Sequence, residues 1–168
     1  MAVLMTSFFD SNKLDMEKWS VAVYQPSGYD YPKVDWADIR VQGQWIRPRL
    51  FLSDPDPAAA YWRFMTTMYE SRIREAHEWL QDYYTHDLAM CCWCPHDRAA
   101  RRQLEEFGSF ICHTGPLAAF LRDKCGVEVA LDKHRERMYN GVRKVDSFVH
   151  SPSCGRRDPH GPEGCAVD

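Results

Sequence analysis

Several common enzyme signatures are missing from this chain. It has no G-x-x-x-x-G-K-[ST] phosphate loop, no G-x-G-x-x-G, no H-E-x-x-H and no G-x-S-x-G. Their absence removes the motif-based case for a P-loop nucleotidase, a dinucleotide-dependent oxidoreductase, a zincin or an α/β-hydrolase. No run of 18 apolar residues occurs, so no membrane-spanning helix is expected. The opening "MAVLMTSFFDSNK" has neither a basic flank nor a long apolar stretch, and no signal peptide is expected. Basic residues are not in excess: 21 Lys and Arg against 24 Asp and Glu give a net charge of -3, which argues against a general polyanion binder. No internal repeat is apparent.

What is present suits one packed domain. The 168 residues are 45% hydrophobic and 13% aromatic, enough for a core. Seven cysteines is an odd number. Cys91 and Cys92 are neighbours in a strand-like run, so their side chains point to opposite faces. That is a poor disulfide framework, and reduced thiols in a cytoplasmic setting fit better.

Along the chain, "AVLMTSFF" (2–9) reads as a buried strand, and "WSVAVYQP" (19–26) as a second one stopped by Pro26 and Gly28. Residues 27–55 are irregular but aromatic, as in a packed loop. One long helix is predicted from Asp56, an N-cap followed by Pro57. Its apolar stripe is Ala58, Trp62, Met65, Tyr69, Ile73, Ala76 and Leu80, with Glu70 and Arg74 placed to pair outside. "LAMCCWCP" (88–95) is apolar on both faces, as in a central parallel strand. A short polar helix over 97–108 follows. Another spans 114–126, with Thr114 or Gly115 as its cap, Pro116 in its first turn and Gly126 as its stop. "VEVALD" (127–132) is a last strand. This order predicts a single α/β domain over residues 1–144, an open sheet with crossover helices in Rossmann-like layering. The Pro/Gly-rich 145–168 is expected to be a flexible tail.

The pieces "TSFFDSNKL", "WSVAVYQPSGYDYP", "LAMCCWC" and "CHTGPLAAFLRDKCGVEVAL" together resemble the DUF488 family, in the right order over about residues 3–132. Within it they are most similar to the N3 subclade found in phage and bacterial genomes. The most specific piece is Cys112-His113 opening a helix. The resemblance implies an α/β fold with a mostly parallel sheet and no established activity. The chain departs from the family pattern at three places. Cys94 stands where the family has an acidic residue, Thr114 stands where it has arginine after Cys-His, and the segment between the two Cys clusters is longer.

In open parallel sheets ligands bind beyond the carboxyl ends of the strands. Thr6 and Ser7, then Gln25, then Cys94 and His96, then Cys112 and His113 are expected to meet there. Three chemistries are open. The first is a site for a small anionic, nucleotide-like ligand, bound by Thr6, Ser7, Gln25, Cys94, His96, Thr114 and Gly115. The helix start would anchor its anion, and Cys112 with His113 would be nucleophile and acid–base group. The second is a zinc site drawn from Cys94, His96 and Cys112. The third is a non-catalytic binding protein, phage-encoded as the resemblance allows, that sequesters a ligand or contacts a host protein or nucleic acid. Nucleic acid would use the basic clusters Arg98, Arg101, Arg102 and Lys133 to Lys144. Cys91, Cys92 and Cys125 read as packing residues. His77, His86, His150 and His160 read as surface histidines, and Cys154 and Cys165 fall in the tail. The oligomeric state is left open.

Overall fold

The computed structural model describes residues 1–93 and 112–131. The expected polar helix over 97–108, residues Cys94 and His96, both basic clusters and the tail over 145–168 lie outside the described residues.

The fold is α/β, built on a four-stranded all-parallel sheet in Rossmann-like layering. Strand β1 (Ala2–Ser7) and strand β5 (Leu88–Cys92) form its centre. Strand β2 (Glu17–Ser20) flanks β5, and β6 (Glu128–Leu131) flanks β1, giving the order β2-β5-β1-β6. Every residue of β5 is buried, as its two-faced apolarity predicts. Alternation then sorts its side chains. Leu88, Met90 and Cys92 face the large core, whereas Ala89 and Cys91 face a smaller one built on Phe8 and Ala22. Full burial of Val3, Met5, Leu88 and Met90 stabilises the sheet by roughly 2 kcal/mol each.

Three helices cover the large-core face: α2 (Pro57–Glu70), α3 (Ile73–Tyr83) and α4 (Thr114–Cys125). The other face carries the short α1 (Phe8–Ser11), with Tyr29 and Tyr31 packed on Phe8. Helix α2 begins as its sequence predicts, with the Asp56 carboxylate accepting from the Ala59 N–H and Pro57 in the first turn.

Four expectations need correction. The single helix from Asp56 is two helices, broken at Ser71 and Arg72. The Ser71 hydroxyl donates back to the Met68 carbonyl at 2.7 Å. The Arg72 guanidinium reaches the carbonyls of Trp36 and Asp38, so contacts 34 to 36 residues away bend the chain there. The stripe is correspondingly shifted: Met65, Tyr69, Ala76 and Leu80 are buried as predicted, Tyr61 and Met68 join them, and Ile73 is exposed. Glu70 pairs with Lys124 on α4 at 2.9 Å rather than with Arg74, which turns to Glu75 and Glu78. The second strand is short and early. Its paired residues end at Ser20 opposite Cys91, the Val21 N–H still donates to the Cys91 carbonyl at 3.0 Å, and the chain then bends at Ala22 and Val23, both buried.

The segment over 27–55 is a packed loop, as read. It buries Val34, Trp36, Ala37, Ile39 and Ile46. It contains a small hairpin of β3 (Arg40–Val41) and β4 (Gln44–Trp45). Gln42 and Gly43 turn that hairpin with φ of 51° and 79°, the left-handed pair that a tight hairpin requires. Gly126 ends α4 in the left-handed conformation, as predicted.

Candidate functional site

Parallel register brings the carboxyl ends of the strands level: Ser7 lies opposite Cys92, and Ser20 opposite Cys91. Beyond that edge is a cavity of about 490 Å³. The bend after β2 contributes Ala22, Val23 and Tyr24 to its wall, and the hairpin region contributes Ile39, Trp45, Ile46 and Pro48. Tyr61 of α2 and Trp93 complete the apolar surface. Cys92, Cys112 and His113 supply its soft polar atoms. The rim is half open: Tyr24 is 65% and Trp93 50% exposed. Tyr24 meets Trp45 edge to face at 6.1 Å, and the Arg47 guanidinium stacks over Trp45 at 4.4 Å.

At the inner end, three side chains converge. Cys92 is the last residue of β5, Cys112 precedes α4, and His113 is the residue on which α4 starts. The two sulfurs and a ring nitrogen of His113 all lie within 4.8 Å of one another. His113 Nε2 is 2.9 Å from Cys92 Sγ, and its Nδ1 is 3.2 Å from the Tyr69 hydroxyl. Both ring nitrogens are therefore held, which fixes the imidazole plane. Two proton arrangements satisfy the chain. Either Cys92 S–H donates to Nε2 while Nδ1–H donates to the Tyr69 oxygen, or both bonds run the other way. Burial pushes the Tyr69 phenol well above its usual 10.0, and the nearby Tyr61, Cys112 and Cys92 add to the shift. Tyr69 is thus a neutral hydroxyl, able to play either role. Tyr61 is held protonated in the same way, first by burial and then by Cys112 and Cys92. Cys112 turns its sulfur to the Thr114 hydroxyl at 3.2 Å.

Three other described residues expected to bind a ligand here, Thr6, Ser7 and Gln25, are engaged away from the cavity. Thr6 is fully buried in the sheet. Ser7 caps α1: its hydroxyl donates to the Asp10 carboxylate at 2.7 Å and accepts the Asp10 N–H at 3.0 Å. Gln25 clamps a loop, donating to the Tyr31 carbonyl at 2.6 Å and accepting the Tyr31 N–H at 2.9 Å. None of the three lines the cavity. Thr114 and Gly115 are the first residues of α4 rather than its cap, both buried, and the Gly115 N–H donates to the Cys112 carbonyl at 3.2 Å. His86 sits on the surface beside Glu17, and His77 is exposed. Cys91 packs on the other face, as read.

Cys92 and Tyr69 are the members that sequence reasoning passed over. The sequence did carry one signal for Cys92. It shares strand parity with Leu88 and Met90, so it faces the same layer as the helix that Cys112 and His113 open.

Fold and site together define an α/β protein with a parallel sheet and a Cys–Cys–His group at its carboxyl edge. No family model, curated protein or solved structure matches the chain.

Proposed function

We propose that this protein binds a small, planar, anionic molecule of nucleotide-like chemistry, with the flat part between the rim aromatics and the polar part toward Cys92, Cys112 and His113. One observation carries this reading: a cavity of about 490 Å³ whose wall is aromatic and aliphatic and whose inner end gathers two sulfurs and an imidazole. Sites for small ligands have this build, an apolar wall with a few convergent polar groups. Tyr24, Trp45 and Trp93 offer ring faces of the kind that stack bases. Arg47 brings positive charge to the Trp45 side of the rim. The amino end of α4 adds a partial positive charge where Cys112 and His113 enter. The DUF488 resemblance and a cytoplasmic, reducing location belong to the same proposal. They are supported by the α/β fold and by thiols that form no disulfide among the described residues. No helix among those residues is long and apolar enough to cross a membrane.

A second reading is catalytic, and the hydrogen-bonded chain Cys92–His113–Tyr69 favours it. That chain has the logic of a thiol nucleophile, an imidazole base and a third group that orients the base. The expected pair was Cys112 with His113. The geometry supports Cys92 as the thiol that His113 serves. Sequestration without turnover, through the same cavity, is the non-catalytic form of the proposal.

The test is direct. Nucleoside monophosphates titrated into the full chain should quench tryptophan fluorescence saturably, because Trp45 and Trp93 line the cavity. Trp45→Ala should weaken that binding by about tenfold, the loss of one stacking face. No saturable quenching by any base, or binding indifferent to Trp45→Ala, would sink the proposal. Turnover of a bound nucleotide that disappears in Cys92→Ala but survives in Cys112→Ala would establish the catalytic form.

A further inference from the structure

We infer that Cys92, Cys112 and His113 form a binding site for a soft divalent cation of the zinc class, and that the cation anchors the anionic end of the cavity's ligand. The second half of this inference rests on the ligand reading above; the first half does not.

The donor set is the starting point. Two cysteine sulfurs and one imidazole nitrogen are the ligands that zinc prefers, and three protein ligands leave a fourth position for an exogenous group. The three come from two different elements, the end of β5 and the entry to α4, so packing of the helix on the sheet brings them together. The adjacency of Cys112 and His113 does not prevent convergence here, since both lie within 4.8 Å of Cys92. Tetrahedral zinc with ordinary bond lengths places sulfur and nitrogen about 3.5 Å apart and two sulfurs about 3.8 Å apart. Cys92 and His113 stand at 2.9 Å, so loading would move them about 0.6 Å apart, a side-chain adjustment.

The surroundings fit as well. A ligating histidine needs its other nitrogen held by an acceptor, and the Tyr69 oxygen lies 3.2 Å from Nδ1. Of the two proton arrangements, the one with Nδ1–H donating to Tyr69 leaves the Nε2 lone pair for the metal. Binding one divalent ion then releases the two thiol protons and leaves a neutral metal–dithiolate–imidazole unit. Cys92 and His113 are buried, so this neutral unit suits the site better than two thiolates without an ion.

The cavity supplies the last step. Among its described lining residues there is no lysine or arginine, yet all three sulfur and nitrogen donors line it. A cation held by them would present its fourth position to the cavity and give an anionic oxygen a partner that the apolar wall does not. A metal-bound Cys92 cannot also be the free nucleophile of the catalytic reading, so the metal and that reading exclude one another.

The experiment uses the full chain, reduced and freed of metal with a chelator. Cobalt(II) should bind at one equivalent and give sulfur-to-cobalt charge-transfer absorption. Zinc(II) should displace it and protect Cys92 and Cys112, read by mass spectrometry, from alkylation. Cys112→Ser should reduce the absorption by about half, and Tyr69→Phe should weaken the affinity by about tenfold while keeping the ring in the core. Cys125→Ser, outside the cluster, should change neither. Protection mapped to other cysteines, or no charge-transfer absorption with reduced protein, would overturn the metal site. Nucleoside monophosphates added to metal-free and zinc-loaded protein separate the two parts. Binding that strengthens with zinc supports the whole inference, and equal binding to both forms removes the anchoring role. Zinc held at Cys92 and Cys112 with no nucleotide binding in either form leaves the metal site standing and refutes the ligand reading.

Discussion

Two polar groups sit at the carboxyl edge of the same sheet, a strand apart, and they are built on opposite principles. At the end of β1, Ser7, Asp10, Ser11, Asn12, Tyr31 and Gln25 join through hydrogen bonds of 2.6 to 3.4 Å. Donors and acceptors there match one another, Ser7 with Asp10 and Gln25 with Tyr31 locally, Ser11 and Asn12 with the distant Tyr31, and Phe8, Tyr29 and Tyr31 lock the cluster to the sheet. At the end of β5, Cys92, Cys112 and His113 converge on one point, with the Tyr69 phenol behind His113, and they face a cavity. Both groups satisfy the rule that sites lie beyond strand ends. Position alone therefore does not distinguish a site from a turn. What distinguishes them is whether the polar atoms satisfy one another within the packing or converge beside open space.

The strongest way to break this contrast is His113→Ala. The substitution removes the hydrogen-bond partner of a wholly buried Tyr69 hydroxyl and leaves a void between β5 and α4. An unsatisfied buried hydroxyl and a new cavity together should cost about 3 kcal/mol in urea unfolding, and binding of a nucleotide or metal should be lost. A variant that unfolds at the wild-type midpoint would mean that the His113 contacts carry no structural weight.

Much of the sheet was readable because its residues answer only to local rules. Leu88 to Cys92 is a short run apolar on both faces, as in a strand covered on each side. Asp56-Pro57 sets a capping side chain directly before a first-turn proline, a local signal for a helix start. The break at Ser71 and Arg72 was unreadable for the opposite reason: the guanidinium answers to carbonyls of Trp36 and Asp38, far off in sequence. The site divides in the same way. Cys112 and His113 were identified as a pair at a helix start. For Cys92, strand burial by itself accounts for the residue in the sequence, and only the packing of α4 on β5 reveals that this burial places its sulfur on an imidazole. Ser7 and Gln25 have the position of site residues at strand ends, but their side chains answer to Asp10 and Tyr31.

Ser7→Ala sharpens the contrast from the other side, with a smaller effect. It removes the cap of a helix only four residues long and leaves the Asp10 N–H without its side-chain acceptor. The expected cost is about 1 kcal/mol, read as a lower urea midpoint. Nucleotide and metal affinity should stay within twofold of wild type. A loss of binding comparable to that of His113→Ala would show that the β1 group belongs to the site after all.

The smallest effect concerns a third cysteine environment, with neither an imidazole nor a cavity. Cys125 ends α4 half-buried, and burial pushes its thiol from 9.0 up to about 11. In the unfolded chain the thiol ionises near its ordinary value, whereas in the folded protein it holds its proton for about two further units. Between these values the unfolded state binds fewer protons, so the contribution of Cys125 to stability is intact below about pH 9 and declines as pH rises toward 11. Tyr61 and Tyr69, both held protonated by burial, add their own decline above pH 10. The contribution of Cys125 is therefore the difference in slope between wild type and Cys125→Ala, not the slope itself. Urea midpoints measured across this range should fall less steeply in the variant. Whatever constant offset the lost sulfur introduces leaves that slope unchanged. Identical slopes would mean that the Cys125 thiol ionises in the folded protein as it does in the unfolded chain.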